Sequence, residues 1–237
     1  MVASASHASG SKGERRVADR RLYALFGAGG FGREVRSDFM AAASAHAQAA
    51  GAADASFVMV ESEPSREHVD GVPVISEREL LDRRDEIRHV CVAIADSKAR
   101  EALETRCTEA GVRPFTLTSR LANVGPGVEL GAGSILCAFT TLTADAVIGR
   151  SFHANIYSYV AHDCVVGDYV TFAPRVSCNG GVRIKDHVYV GTGAVIRPSS
   201  PDRPIVIGAG ATIGMGAVVT RSVPAGATVV GNPARER

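Results

Sequence analysis

His162 and Asp163 stand side by side in the segment VAHDCV, and they are the pair in this 237-residue chain best suited to moving a proton. A neutral imidazole, with an ordinary pKa near 6.5, accepts a proton at neutral pH, and an adjacent carboxylate orients the ring and stabilises the imidazolium. A second chemistry is written in GAGGFG, Gly27 to Gly32, which follows a short apolar run and opens a helix-favouring stretch. Glycines there let backbone N–H groups approach a phosphate at a helix N-terminus. Read as a nicotinamide-cofactor turn, the motif wants an acidic residue about 20 residues on, for a ribose hydroxyl. Glu61 ends the next apolar run but lies 29 residues past Gly32, so that reading ranks low. With His162, His153 and His187 raise the question of a metal. Separations of nine and twenty-five residues leave no close liganding pair, so no metal site is expected and both extra histidines are expected at the surface. Cys91, Cys107, Cys137, Cys164 and Cys178 form an odd set without a CxxC pair, and they read as small buried hydrophobes.

The elements that must position these groups fall into two patterns. Residues 1–20 are small, polar and charged with no periodicity, and a disordered tail is expected there. From Arg21 onward, apolar runs (LYALF, SFVMV, VPVI, HVCVAIA) alternate with helical stretches (REVRSDFMAAASAHAQAA, SERELLDRR, SKAREALETRCTEAG), which predicts parallel βαβ units in an α/β domain over residues 21–118. The net charge of +1 is scattered, so nothing in it favours nucleic acid, and no apolar stretch reaches the roughly 18 residues of a membrane span. With no secretory signal legible either, a cytoplasmic protein is expected.

Over residues 119–237 the alternation gives way to a period of six: VGPGVE, LGAGSI, LCAFTT, LTADAV and onward from Val124. Each hexad begins with an apolar residue, and the second place is mostly glycine, alanine or another small or polar residue. Five extra residues within RPSSPDRPIV shift the frame, which resumes at Ile207 as IGAGAT, IGMGAV, VTRSVP and AGATVV. The period fits a β-helix in which three hexads close one coil, the first residue points inward, and the small second residue sits where the backbone turns sharply or takes positive φ.

On these repeats the chain resembles the hexapeptide-repeat acyltransferases, over about Leu121 to Arg235. Together with the N-terminal GAGGFG domain, it is similar to the branch that acylates nucleotide-linked amino sugars or sialic acid, typified by bacillosamine and perosamine N-acetyltransferases. The segment NIYSYVAHDCVVGDYVTFAP (Asn155 to Pro174) and the closing VVGNPAR (Val229 to Arg235) carry the likeness. The resemblance implies a Rossmann-like α/β domain followed by an all-β left-handed parallel β-helix. It implies acetyl-CoA as acyl donor, a nucleotide-sugar acceptor held by Gly27, Gly29, Gly30 and Gly32 with Glu61 nearby, and His162 as general base with Asp163 its partner. Asn155 is implied near the reacting centre, its other reading being a corner residue that tolerates left-handed backbone. Thr171 stands where many relatives carry a second histidine. CoA contacts are implied at Gly180, Thr192, Gly193, Met215, Gly216 and Arg235, each glycine being equally readable as a corner residue. A homotrimer with sites between subunits follows from the resemblance and from the flat small-residue face of such a helix. The main expectation is direct attack of an amine on the thioester; O-acetylation of a sugar or sialic acid, and a non-catalytic nucleotide-binding assembly module, are its rivals.

Overall fold

The computed structural model describes residues 20–52 and 54–237. The tail expected over residues 1–20 lies outside the described residues except at its last position, where Arg20 already opens the first strand.

The N-terminal part runs β1 (Arg20–Phe26), α1 (Gly30–Ala49), β2 (Asp54–Glu61), β3 (His68–Val69), β4 (Val72–Ser76), α2 (Glu77–Asp82), β5 (Ile87–Val92), α3 (Ser97–Glu109) and β6 (Arg113–Pro114). These strands form one sheet in the order β3-β4-β2-β1-β5-β6, parallel except for the β3–β4 hairpin. Leu22 through Leu25 are completely buried, because the central strand of a parallel sheet is covered on both faces. On one side α1 presents Val35, Phe39, Ala43 and Ala47, spaced every four residues along one helical stripe. That side of the core continues into Leu117, Ile135 and Cys137, so α1 is wedged between the sheet and the repeats. On the other side Leu80 of α2 and Leu103 and Cys107 of α3 cover the sheet. Side-chain caps from Ser76 and Asp96 start α2 and α3.

The repeats form a parallel β-helix of two-residue strands arranged on three faces. Face I carries the strands at Leu117, Ile135, His153, Thr171, Tyr189, Thr212 and Thr228; face II those at Asn123, Thr141, Tyr159, Ser177, Val195 and Val218; face III those at Glu129, Val147, Val165, Arg183 and Val206. One coil is eighteen residues, pairing Thr141 with Tyr159. Across the five extra residues the pairing widens to twenty-three, Ile184 with Ile207, and the stack continues unbroken. The first rung, Leu117–Thr118, lies before the expected start of the repeats.

Three expectations need correction. Beyond the first coil the hexads bury the fifth residue as well as the first, as with Phe152, Val170, Val176 and Val188, because the side chain just before each strand also turns inward. Glycine at the second place does not take positive φ; it is there because a Cβ would strike the next coil, that of Gly131 lying 2.4 Å from the Arg150 nitrogen. Positive φ belongs to the fourth place, at Gly127, Phe139, Asp145, Ser151, Tyr157, Asp163, Tyr169, Arg175 and others. Lastly, the frame slips again after Val219. Ile213 pairs with Val229, sixteen residues on, so Val223, Ala227 and Val229 fill the interior while Ala225 is exposed.

Candidate active site

His162 and Asp163 occupy the third and fourth places of their hexad, in the corner between faces II and III. Asp163 has φ 58, the left-handed conformation that Asp tolerates better than most residues, and this corner turn projects both side chains outward. His162 Nδ1 lies 2.6 Å from Asp163 Oδ2, with the side chains 67% and 68% exposed. Hydrogen bonding to Asp163, reinforced by its charge, holds the imidazole pKa above the ordinary 6.5. With Nδ1 so engaged, Nε2 is the nitrogen left to take a proton. One coil along, Gly180 lies against the ring: a Cβ there would sit 2.7 Å from both Cε1 and Nε2. A side chain at position 180 would therefore push the ring out of this position.

A base with a raised pKa works only above it, so with His162 in the role the resemblance implies, activity should fall on the acid side through a pKa higher than 6.5. Asp163→Asn removes the charge and the carboxylate acceptor. The imidazole then returns toward its ordinary value, the acid limb of the pH–kcat/KM profile moves to lower pH, and the plateau drops because the ring is less firmly oriented. An acid limb that does not move in this variant would assign the titration to another group.

A cleft of about 250 Å³ opens between the glycine turn and the β-helix, lined by Phe31 and Glu34 of α1, by Ala95, and by His153, Asn155, Thr171, Phe172, Ala173, Pro174, Tyr189 and Thr192. It thus brings together Asn155 and Thr171 with Thr192, on face I and in the corner between faces I and II. Asn155 does not take positive φ; its Oδ1 accepts from the Ile156 nitrogen at 2.7 Å. Gly27 (φ +112) and Gly29 make the turn after β1, and α1 begins at Gly30, so the first N–H groups of that helix point out of its open end. A Cβ at Gly29 or Gly30 would meet nothing, which leaves room over the turn, whereas one at Gly32 would lie 1.7 Å from the Gly27 carbonyl oxygen. Glu61, at the end of β2, is part-buried and lies 3.7 Å from Arg66. Thr192 and Gly193 stack beneath Met215 and Gly216 in the corner between faces I and II, Gly216 nitrogen donating to the Thr192 carbonyl at 2.8 Å; Met215 is 81% exposed. Gly180 belongs to the other corner, beside His162, and Arg235 lies exposed in the short C-terminal strand.

His153 is not at the surface. It is fully buried under Phe31, whose ring is 5.5 Å away, and neither ring nitrogen is hydrogen-bonded. Burial, with the nearby Arg100 cation adding to it, pushes its pKa well below the ordinary value, so it is neutral. His187 is half-buried and stacks on Tyr169 at 5.3 Å. The described residues contain no cluster that would hold a metal ion. All five cysteines are buried and unpaired; the Cys164 thiol donates to the Asn179 carbonyl at 3.2 Å. No described helix is long and apolar enough to cross a membrane.

Missed from sequence were Phe31 and Glu34, and Arg100 and Glu104 of α3. Both α3 residues are buried and reach the β-helix, Glu104 to the Ser151 hydroxyl and Arg100 to the Tyr169 carbonyl at 2.8 Å. Their spacing was a signal. Arg100, Leu103, Glu104 and Cys107 form one helical stripe, so two charges stand where apolar residues belong. Desolvation raises the Glu104 pKa and draws that of Arg100 down to about 10, which leaves the guanidinium protonated at neutral pH.

No protein-family model matches the chain. It is 46% identical over 215 residues to a GDP-perosamine N-acetyltransferase from Escherichia coli O157:H7, spanning 91% of this chain and 96% of the relative. Among solved structures it is similar to WeeI from Acinetobacter baumannii AYE, at TM-score 0.81 and 45% identity over 92% of this chain and 100% of that one. A histidine-to-asparagine variant of perosamine N-acetyltransferase from Caulobacter crescentus, in complex with CoA and GDP-perosamine, superposes with TM-score 0.78 at 28% identity, covering 91% and 96% of the two chains.

Proposed function

Since the chain belongs to the hexapeptide-repeat nucleotide-sugar N-acetyltransferases, moving an acetyl group from acetyl-CoA to the amine of a nucleotide-linked amino sugar, we propose that its acceptor is GDP-perosamine and that its site is shared between neighbouring copies in a homotrimer. The observation that carries the acceptor is the 46% identity, sustained over 91% of this chain, with an enzyme named for that substrate. What supports the shared site is placement. His162 sits in the corner between faces II and III, whereas the cleft lies on face I and the corner between faces I and II. Within one chain the whole of face II separates base from cleft, and a second copy brings a base to each cleft.

On this reading residues 21–118 form a Rossmann-like domain whose turn holds the diphosphate. Gly29 and Gly30 leave space for it, Gly27 and Gly32 shape the turn, and Glu61 accepts from a ribose hydroxyl. The β-helix of residues 119–237 holds the donor, with pantetheine running past Thr192, Gly193, Met215 and Gly216, Gly180 leaving space beside the base, and Arg235 meeting CoA phosphate. Asn155 and Thr171 face the acceptor. The amine attacks the thioester carbonyl, the C–N bond forms, and backbone N–H groups stabilise the oxyanion. His162 Nε2 takes the amine proton; the C–S bond then breaks, and the thiolate leaves with that proton. The protein works in the cytoplasm.

Thiol release from acetyl-CoA against GDP-, UDP-, dTDP- and CMP-linked amino sugars and their hydroxy analogues tests this. The expected result is turnover with GDP-perosamine and none with the hydroxy analogues. Turnover confined to another nucleotide would overturn the acceptor assignment. Sedimentation of the purified protein as a monomer at assay concentration, with full activity, would overturn the shared site.

A further inference from the structure

Arg100 is completely buried, yet it belongs to none of the groups that the reaction itself requires. Its Nη1 donates to the Ile94 carbonyl at 2.7 Å and reaches that of Ala95 at 3.3 Å, on the N-terminal wall of the cleft; Nη2 donates to the Tyr169 carbonyl at 2.8 Å and to Thr171 Oγ1 at 3.0 Å, on the β-helix wall. Ala95 and Thr171 both line the cleft. One side chain thus ties together the two walls that the acceptor enters between. A guanidinium only donates, so the Thr171 oxygen must accept from it, and the hydroxyl proton is left to point elsewhere. The open side of Thr171 is the cleft. A hydroxyl that accepts from a cation in a dry setting is also a stronger donor, since hydrogen bonds in a chain polarise one another.

We propose that Arg100 is a positioning residue of the acceptor site, clamping the two cleft walls and directing the Thr171 hydroxyl as a hydrogen-bond donor to an oxygen of the bound nucleotide amino sugar. The inference rests on the acceptor site described above. Arg100 touches no reactant; it acts through Thr171 and through the width of the cleft.

The test is a double-mutant cycle on the full chain, using whichever nucleotide-linked amino sugar the unaltered enzyme turns over. Thr171→Val and Arg100→Met are each expected to lower kcat/KM for the amino sugar by about tenfold to a hundredfold, as loss of a charge-supported hydrogen bond does. KM for acetyl-CoA should be unchanged. The double variant should lose no more than the worse single one, because both remove the same donor. Thr171→Ser, which keeps the hydroxyl, should restore most of the activity, and it keeps the proposal open to refutation if Arg100→Met fails to fold. Losses that multiply in the double variant, or a Thr171→Ser enzyme as impaired as Thr171→Val, would overturn the proposal while leaving the acceptor assignment intact. Silence of the unaltered enzyme on every amino sugar would overturn both.

Discussion

His162→Ala is expected to lower kcat by at least about a hundredfold on the plateau above the imidazole pKa, whereas Cys164→Ser retains activity. The imidazole is exposed in its corner, it carries a carboxylate on Nδ1, and the coil beside it has a glycine where any larger residue would push the ring away. Cys164 is two residues along the chain but faces the other way, buried, its thiol held by the Asn179 carbonyl. A sulfur so placed cannot attack a thioester, and direct transfer needs no acyl-enzyme. Steady-state thiol release in the two variants decides between the schemes, since equal losses would require the acetyl group to pass through sulfur. Circular dichroism should show both variants folded, because position 162 contributes little to packing.

The second large effect falls on stability rather than chemistry. Gly32→Ala places a methyl carbon 1.7 Å from the Gly27 carbonyl oxygen, and neither partner is free to yield. Gly27 is held by the bond from its own nitrogen to Val60 and by left-handed backbone, while Gly32 lies in the first turn of α1. Overpacking against backbone should cost about 2–4 kcal/mol, seen as a lower urea midpoint, and the distorted turn should also raise KM for the nucleotide sugar. Gly29→Ala is the contrast. Its added methyl meets nothing in the protein, so stability should stay within about 0.5 kcal/mol while, with the diphosphate at the turn as proposed, KM for the nucleotide sugar still rises. If Gly32→Ala were as stable as the unaltered protein, the close approach of turn and helix would not be what fixes this loop.

The period of six is legible without any structure because each coil meets its neighbour in the same way, so packing repeats the same demand at every first position. The corner placement of the His162-Asp163 pair was likewise legible, and the structure leaves both side chains exposed with no packing role. The fifth position was not read from the sequence, because only the structure shows that the corner turns a second side chain inward. Other features were fixed by contacts between residues far apart in the chain. His153 and Thr171 are register partners in successive coils, and both come under the N-terminal domain, so an apparently exposed histidine is sealed beneath Phe31. Arg100 stands on the otherwise apolar stripe of its helix, but what that stripe meets is known only once the helix is seen to rest on the β-helix.

What the amino-acid order determined by itself was periodic or local: the strands and helices of the first domain, the six-residue coil, the glycine turn and the His162-Asp163 pair. What only the tertiary structure decided was which of these meet. The cleft is made of α1, the loop after β5 and three coils, and its clamp joins residues about seventy positions apart. Periodicity records the neighbour each residue has within its own element, whereas the docking of one domain on another depends on shape and charge summed over both surfaces, which no short stretch of sequence contains.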